Sequence, residues 1–211
     1  MREFNRYVSL NPNERQRREN HHTLLSCVLP RPIAFVSTLS PEGVANLAPF
    51  SFFNAFCSNP PTLVFGPATK ADGTEKDTVR NLQHLGECVV NVVTYDMRLA
   101  MNQASYAYPP DVSEFERCGF TPVASELVRP PRVAQSPVQM ECRLIQIVKI
   151  GAGGLSGNLC VVEVQRFHIA EEICLPDGSA DVTQIDLVAR LGADGYSTMR
   201  DRFDLPKPTT P

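Results

Sequence analysis

The sequence lacks any run of about 20 apolar residues, the length that a membrane-spanning helix requires. It also lacks a charge excess, because 20 Lys and Arg residues face 23 Asp and Glu residues, a net charge of −3 over 211 residues. That balance gives no general electrostatic attraction to nucleic acid or to an anionic membrane. The N-terminal segment is polar and contains no signal-peptide core. We therefore expect a cytoplasmic protein with one core that binds neither nucleic acid nor membrane.

The cysteines lack the close pairs that disulfide frameworks and zinc sites require. There are seven, an odd number, and no two of them form a CxxC motif. Most lie among apolar neighbours, as Cys88 does, so we expect reduced cysteines in the core. His21 and His22 lie in a polar helix candidate, and His84 and His168 are isolated in sequence. The sequence therefore assigns no metal ligands.

Motifs of nucleotide binding and of nucleophilic catalysis are also missing. The stretch GAGGLSG at 151–157 follows a strand-like segment and contains G-x-G, but the segment after it is again strand-like. A dinucleotide fingerprint needs a helix at that point, and no GK[ST] of a P-loop is present. The sequence also has no G-x-S-x-G elbow and no histidine near an obvious nucleophile. We therefore interpret 151–157 as a hairpin loop and assign no catalytic acid or base.

Strands dominate what is present. Apolar and β-rich runs predict strands at 33–39, 44–56, 62–65, 88–93, 138–150 and 159–169. Helical patterns lie at 12–27, 78–85 and 96–106, with a helical turn at 113–118. The segment 186–191 fits either a short helix or an extended chain. The order favours a mainly β fold, a small closed β-barrel with peripheral helices, over a parallel α/β sheet.

The stretch 31–61 organises the chain. Its first strand ends at Ser40-Pro41-Glu42-Gly43, a tight turn that predicts a hairpin. Pro49 has no N–H, so 46–50 should be an edge strand or a bulge. Each polar residue of this hairpin could simply pair with nearby backbone. Five together favour a polar ligand, and they are Ser37, Thr38, Asn46, Ser51 and Asn54.

A second candidate site lies at the start of the 78–85 helix. A helix N-terminus offers free N–H groups and positive potential to an anion. Thr78 adds a hydroxyl, while Lys76 and Arg80 add positive charge, so a phosphate would fit there. Asp77 argues for the alternative, an ordinary capped surface helix, because as an N-cap it would occupy those N–H groups itself.

Several pieces of the sequence, in this order, resemble the flavin reductase-like family with its FMN-binding split-barrel fold. They include VLPRPIAFVST at 28–38, NLAPFSFFN at 46–54, Pro60-Pro61, KDT at 76–78, RLG at 190–192 and Tyr196. The resemblance runs over 24–208. It implies an N-terminal helical extension at 1–23, one flavin reductase-like domain at 24–208 and a tail at 209–211.

The resemblance implies a homodimer in which each barrel binds FMN near the dimer interface. Residues of the hairpin would line the isoalloxazine and ribityl chain, and 76–78 would hold the phosphate. The implied cofactor-binding residues are Ser37, Thr38, Asn46, Leu47, Ala48, Pro49, Ser51, Phe52, Phe53, Asn54, Lys76, Asp77 and Thr78. Phe52 departs from many relatives, which carry a small polar residue there.

The function implied first is an NAD(P)H-dependent flavin reductase, in which NADH or NADPH passes hydride to flavin N5 and a monooxygenase or another partner accepts the reduced flavin. The alternative is an FMN-binding carrier or electron-transfer protein without its own NAD(P)H activity. A weaker alternative is another cofactor in the same pocket, such as a haem or a deazaflavin. The sequence does not choose between NADH and NADPH.

Overall fold

The computed structural model describes residues 1–209, and it is mainly β as predicted. The strands are β1 (Arg31–Pro32), β2 (Ala34–Leu39), β3 (Ala45–Phe50), β4 (Phe53–Ser58), β5 (Pro61–Phe65), β6 (Glu87–Val92), β7 (Pro122–Val123), β8 (Arg132–Val133), β9 (Val138–Ile150), β10 (Gly157–Ile169), β11 (Val188–Leu191) and β12 (Gly195–Thr198). The helices are α1 (Arg17–Cys27), α2 (Asp77–Leu85), α3 (Arg98–Gln103) and α4 (Glu114–Cys118), with 3₁₀ turns at Pro12–Glu14, Tyr95–Met97 and Glu171–Ile173.

Seven strands form one sheet in the order β3-β2-β6-β9-β10-β5-β4, and each neighbouring pair is antiparallel. The sheet curls until its two ends approach each other, and Phe50 of β3 stacks on Phe65 of β5 with ring centroids 5.8 Å apart. Within residues 1–209 no strand pairing joins β3 to β4. The predicted barrel is therefore completed by side-chain packing rather than by a continuous hydrogen-bonded ring.

The strand β2 is buried on both faces because it separates two cores. Ala34 and Val36 face the barrel interior, whereas Phe35 faces a second cluster under α3 and α4, as expected from the two-residue period of a strand. Leu47 of β3 and Phe115 of α4 also belong to the second cluster. This second core fixes α3 and α4 against the outside of β3, the strand that borders the candidate site.

The two predicted hairpins are confirmed. At 40–43 the Gly43 N–H donates to the Ser40 carbonyl at 3.0 Å, and Gly43 has a φ of 85° that suits glycine. The 13-residue strands β9 and β10 pair antiparallel through the glycine-rich loop, so that loop connects a hairpin and does not open a helix. β3 pairs with β2 alone, which confirms the edge position inferred from Pro49.

Two predicted elements are divided in the structure. The run 44–56 is not one strand, because β3 ends at Phe50 and β4 begins at Phe53 and pairs with β5 instead of β2. The helix expected at 12–27 is a 3₁₀ turn followed by α1. Asn11 is the N-cap of the 3₁₀ turn, since the Asn13 N–H donates to Asn11 Oδ1 at 3.1 Å. The segment 186–191 is extended and forms β11.

The expected cysteine and histidine environments need correction. All seven cysteines are free, but only Cys88, Cys142 and Cys160 are fully buried, and Cys27, Cys57 and Cys174 are exposed. His168 is isolated in sequence but not in space, because its Nε2 lies 2.6 Å from Oε1 of the buried Glu141 on the neighbouring strand.

The predicted N-terminal extension and C-terminal tail concern the two ends of the chain. The predicted tail includes residues 210 and 211, which lie outside the described residues, and the predicted boundary between residues 23 and 24 falls inside α1. Across residues 1–209, no helix combines the length and the apolar character needed to cross a bilayer.

Candidate functional site

A cleft with polar walls lies between the edge strand β3 and the start of α2. The segment that follows α3 and the side chain of Glu114 form its opposite wall. We call it the polar cleft; it is lined by Asn46, Ala48, Pro49, Lys70, Lys76, Asp77, Thr78, Ala104, Ser105, Tyr106, Ala107, Tyr108 and Glu114. The structure thus brings together the two segments that the sequence singled out separately, the hairpin and the 76–78 helix start.

Buried amide and hydroxyl groups fix the geometry of this cleft. Asn46 Nδ2 donates to Thr38 Oγ1 at 3.3 Å and to Thr78 Oγ1 at 3.1 Å. Asn81 Nδ2 also donates to Thr38 Oγ1, at 3.0 Å. Because the Thr78 oxygen accepts from Asn46, its own O–H proton is free to be donated elsewhere. The network joins β2, β3 and α2 and orients the Thr78 hydroxyl.

The start of α2 is open to a ligand. Lys76, and not Asp77, occupies the N-cap position, and its side chain makes no capping hydrogen bond. Asp77 instead accepts a hydrogen bond from Arg80 through Oδ1. The expectation that Asp77 could cap the helix is therefore wrong. In the first turn the Val79 N–H donates to the Lys76 carbonyl at 3.0 Å, whereas within residues 1–209 the N–H groups of Asp77 and Thr78 have no acceptor. These two groups are available to an anion.

Two lysines give the cleft positive charge. Lys76 Nζ lies 5.6 Å from the centroid of the Phe50 ring. Burial lowers the pKa of Lys76, and the positive charge of Lys70 lowers this pKa further. An anion in the cleft would oppose both effects, because it would stabilise the protonated form of Lys76.

Glu114 is the buried acid of the cleft. Its Oε2 accepts a hydrogen bond from the Leu47 N–H at 2.8 Å, which fixes the outer edge of β3 to α4. Burial raises the pKa of Glu114, the Leu47 hydrogen bond opposes that rise, and the charge of Asp77 adds to it. Glu114 therefore positions the strand, and its negative charge opposes an anion in the same cleft.

A separate, larger groove holds the predicted aromatic contacts. We call it the apolar groove; α1, β4 and the start of β10 form its walls, and Phe52, Phe53 and Asn54 line it together with Leu24 and Leu155. Phe52 is 39% exposed, and its ring lies 6.3 Å from that of His21. Asn54 Oδ1 accepts from the next backbone N–H, that of Ala55, at 2.9 Å.

The thirteen predicted residues are thus distributed over distinct environments. Six line the polar cleft: Asn46, Ala48, Pro49, Lys76, Asp77 and Thr78. Three line the apolar groove, and Ser51 lines a smaller cavity described below. Ser37, Thr38 and Leu47 are fully buried; the Ser37 hydroxyl donates to the Pro131 carbonyl, and the Leu47 side chain packs in the second core.

Sequence reasoning missed several residues of the cleft wall. Lys70 lies in a loop without hydrophobic period, and Glu114 lies in a short helical turn assigned no role. Tyr106 and Tyr108 pack edge to face, with ring centroids 5.0 Å apart. The closely spaced tyrosines next to Pro109 and Pro110 were the one local signal that could have drawn attention to this wall.

Comparisons with known proteins bear on the family and the fold. A family model described as a flavin reductase like domain matches residues 25–176. The chain belongs to the flavin reductase-like family. The resemblance inferred from the sequence is thereby confirmed, and so is membership of a flavin-binding oxidoreductase family.

Three solved structures are similar to this flavin reductase-like chain. Nitrilotriacetate monooxygenase component B from Bacillus cereus superposes with a TM-score of 0.91 at 34% identity, covering 96% of this chain and 100% of the other. The 2-nitrobenzoate 2-nitroreductase of Pseudomonas fluorescens superposes with a TM-score of 0.86 at 27% identity, covering 96% of this chain and 97% of the other. A Shewanella frigidimarina protein assigned as a flavin reductase with a split barrel domain gives 0.79 at 24%, with 93% and 96% covered, which confirms the split-barrel fold.

The polar cleft supplies the groups that recognise a phosphate, such as the one that ends a flavin mononucleotide. A phosphate is recognised by free N–H groups at a helix start, by hydroxyl donors and by cationic side chains. The cleft supplies all three, in the first turn of α2, in Thr78 and in the pair Lys70 and Lys76. Riboflavin, which has no phosphate, would leave those donors without a partner.

Proposed function

We propose that the protein is an NAD(P)H-dependent flavin reductase that binds FMN with its phosphate in the polar cleft. The observation that carries the proposal is the convergence of an uncapped helix start, the Thr78 hydroxyl and Lys76 in a cleft bordered by the edge strand β3. FMN, when bound, would supply the hydride-accepting chemistry at N5.

The side chains of the cleft would bind and orient rather than transfer protons. Thr78 is oriented by Asn46, and Asn46 is tied to Thr38, so the hydroxyl is fixed before a ligand arrives. Such preorganisation reduces the ordering that binding has to impose. Lys76 would contribute a charge-assisted contact to the phosphate. We propose that Ser51, Phe52 and Phe53 contact the rest of the flavin.

The protein would act as a homodimer. The strand β4 is mostly exposed, with Phe56 at 72%, and the paired strands β9 and β10 expose Ile145, Ile150 and Phe167. Exposed large apolar side chains on paired strands favour an interface. A second copy of the chain is the partner that we expect on this face, and light scattering of the purified protein measures its mass directly.

A monooxygenase is the partner that we propose for the reduced flavin. Nitrilotriacetate monooxygenase component B is named as one component of a monooxygenase system, and it covers 96% of this chain in the superposition. The rival function is an FMN-binding carrier or electron-transfer protein without its own NAD(P)H activity. The open polar cleft is compatible with both functions, so turnover has to separate them.

The test is an absorption spectrum of the purified, FMN-loaded protein before and after anaerobic addition of NADH or NADPH. A reductase bleaches the flavin bands within the time of mixing and consumes nicotinamide continuously in air. A flavin spectrum that persists with both nucleotides would contradict the reductase and favour the carrier. Absence of flavin binding would contradict both functions.

A further inference from the structure

A small cavity adjoins the polar cleft and shares Pro49 and Ser105 with it. We call it the arginine cavity; its polar lining is Ser51, Asn102, Ser105, Arg190 and Tyr196. Its volume of about 70 Å³ is several times what a single water molecule needs. The cavity therefore has room for a small polar group that enters from the cleft.

Two arginine side chains lie beside this cavity, and in the described part of the chain neither pairs with a carboxylate. Arg31 of β1 lies directly opposite Arg190 of β11, a pairing in which like charges repel. Within residues 1–209, neither guanidinium forms an ion pair with a carboxylate. Arg31 is only 4% exposed, and its pKa is lowered by burial and then by the charge of Arg190. The fold therefore maintains positive potential here.

Arg31 is held in place by backbone carbonyls. Its Nη1 donates to the Leu25 and Val28 carbonyls, both at 2.8 Å, and its Nη2 donates to the Gly192 carbonyl at 2.9 Å. Its Nε donates a long hydrogen bond of 3.5 Å to Ser51 Oγ. Because the Ser51 oxygen accepts from Arg31, the Ser51 O–H is free to donate into the cavity.

Arg190 uses only part of its hydrogen-bond donors. Its Nη1 donates to Tyr196 Oη at 2.9 Å, and its Nη2 donates to the Ala193 carbonyl. Its Nε is buried and has no hydrogen-bond partner in the described part of the chain. Tyr196 Oη donates to Asn102 Oδ1 at 3.2 Å, which leaves the Asn102 amide N–H groups for another acceptor. A buried N–H of a charged side chain that lacks a partner points to a missing acceptor.

We propose that the arginine cavity is an oxyanion pocket that receives a carboxylate or phosphate group of an organic molecule lying in the polar cleft. Arg190 Nε, the Ser51 hydroxyl and the Asn102 amide would donate to it. Charge-assisted bonds from arginine to an oxyanion are among the strongest that proteins form. The pocket is distinct from the Lys76 and Thr78 donors of the proposed function. Its oxyanion would come from FMN or from a separate organic acid.

The test compares charged and neutral probes of the same shape by calorimetry. Benzoate and benzamide are titrated into flavin-free protein and into FMN-saturated protein, and FMN and riboflavin are titrated into flavin-free protein. The test variant is Asn102→Asp, which keeps the acceptor for Tyr196 and adds negative charge to the cavity. The control is Asn13→Asp, the same change at an exposed residue outside both cavities.

We expect benzoate to bind the wild type and the control at least about tenfold more tightly than benzamide, and Asn102→Asp to remove that preference. Arg190→Gln should act in the same direction. If Asn102→Asp instead weakens FMN about tenfold and leaves riboflavin unchanged, the oxyanion is the flavin phosphate, which supports the pocket and contradicts the placement of that phosphate at Lys76 and Thr78. Benzoate binding that persists in the FMN-saturated protein identifies a separate acid, whereas loss of benzoate binding shows that FMN occupies the pocket.

The proposal is overturned if both variants keep their native unfolding temperature and bind benzoate and FMN within about twofold of the wild type. Equal binding of benzoate and benzamide, together with an unchanged ratio of FMN to riboflavin affinity, overturns it as well. A protein that binds no flavin would refute the proposed function alone, because the benzoate titration of the flavin-free protein still decides the cavity.

Discussion

The polar cleft and the apolar groove differ in how their walls are held. In the cleft, buried side chains such as Thr38 and Asn81 fix the groups that line it, and Glu114 anchors the strand next to it. In the groove, Phe52 is partly exposed and rests near a ring of α1. The chain thus provides the donors of the proposed phosphate site by itself, and it leaves an apolar wall that a flavin ring or a second copy would cover.

The largest expected effect concerns the cleft. Replacing Lys76 and Thr78 together by alanine should weaken FMN about 100-fold and change riboflavin by less than about twofold, since each lost charge-assisted contact is worth roughly 1.5–3 kcal/mol. Titration of flavin fluorescence measures both affinities. The matched control is Lys207→Ala with Thr183→Ala, the same residue types outside both cavities. An equal loss of affinity for FMN and riboflavin would show that the cleft does not bind the phosphate.

A substitution in the apolar groove should affect FMN and riboflavin equally, unlike one in the polar cleft. Phe52→Ala should weaken FMN and riboflavin alike, by roughly threefold to tenfold, because an aromatic contact of about 0.5–1.5 kcal/mol does not depend on the phosphate. Phe203→Ala, at an exposed phenylalanine that lines neither the cleft nor the groove, is the control. Unchanged affinity for both flavins in the Phe52 variant would assign the groove to the partner subunit alone.

Glu114→Gln sharpens the comparison within the cleft. The amide oxygen can still accept from the Leu47 N–H, but the negative charge near the phosphate is gone. FMN should bind roughly threefold to tenfold more tightly at neutral pH, and riboflavin should be unaffected. The gain should disappear as the pH falls through the raised pKa of Glu114, where the wild-type side chain is also neutral. Glu116→Gln on the same helix is the exposed control.

The smallest expected effect is the change that Glu114→Gln makes to the free energy of unfolding. Because burial raises the pKa of Glu114 in the fold, its contribution to stability is fully present below its unfolded-state pKa and is lost as the pH rises through the raised value. Glu114→Gln should therefore be more stable than the wild type at neutral pH by up to about 1 kcal/mol. The difference should vanish in acid, and urea unfolding at both pH values measures it. A variant less stable at neutral pH would contradict this account.

Local signals predicted the hairpins well. The turn at 40–43 and the alternation of β9 and β10 are encoded within short stretches, and Pro49 alone identified the edge strand. The division of 44–56 had no such signal, because the bend at Ser51 and Phe52 contains neither glycine nor proline. That bend exists because β4 finds its partner in β5, which is a tertiary contact.

The candidate site was predictable only in its local pieces. The anion-binding character of 76–78 follows from residue types and a helix start, and the structure adds that Asn46 reaches Thr78. Glu114 contacts a backbone N–H 67 positions away, and Arg190 meets Arg31 through strand pairing. Neither contact leaves a pattern along the chain, because both arise from the way the sheets fold together.

The most direct test of the central claim is the ratio of the riboflavin and FMN dissociation constants of the wild-type protein, measured in one buffer without phosphate. The account predicts that FMN binds at least about tenfold more tightly, and that added salt reduces this ratio because the contact is ionic. Equal dissociation constants for the two flavins would contradict the assignment of the polar cleft to the phosphate.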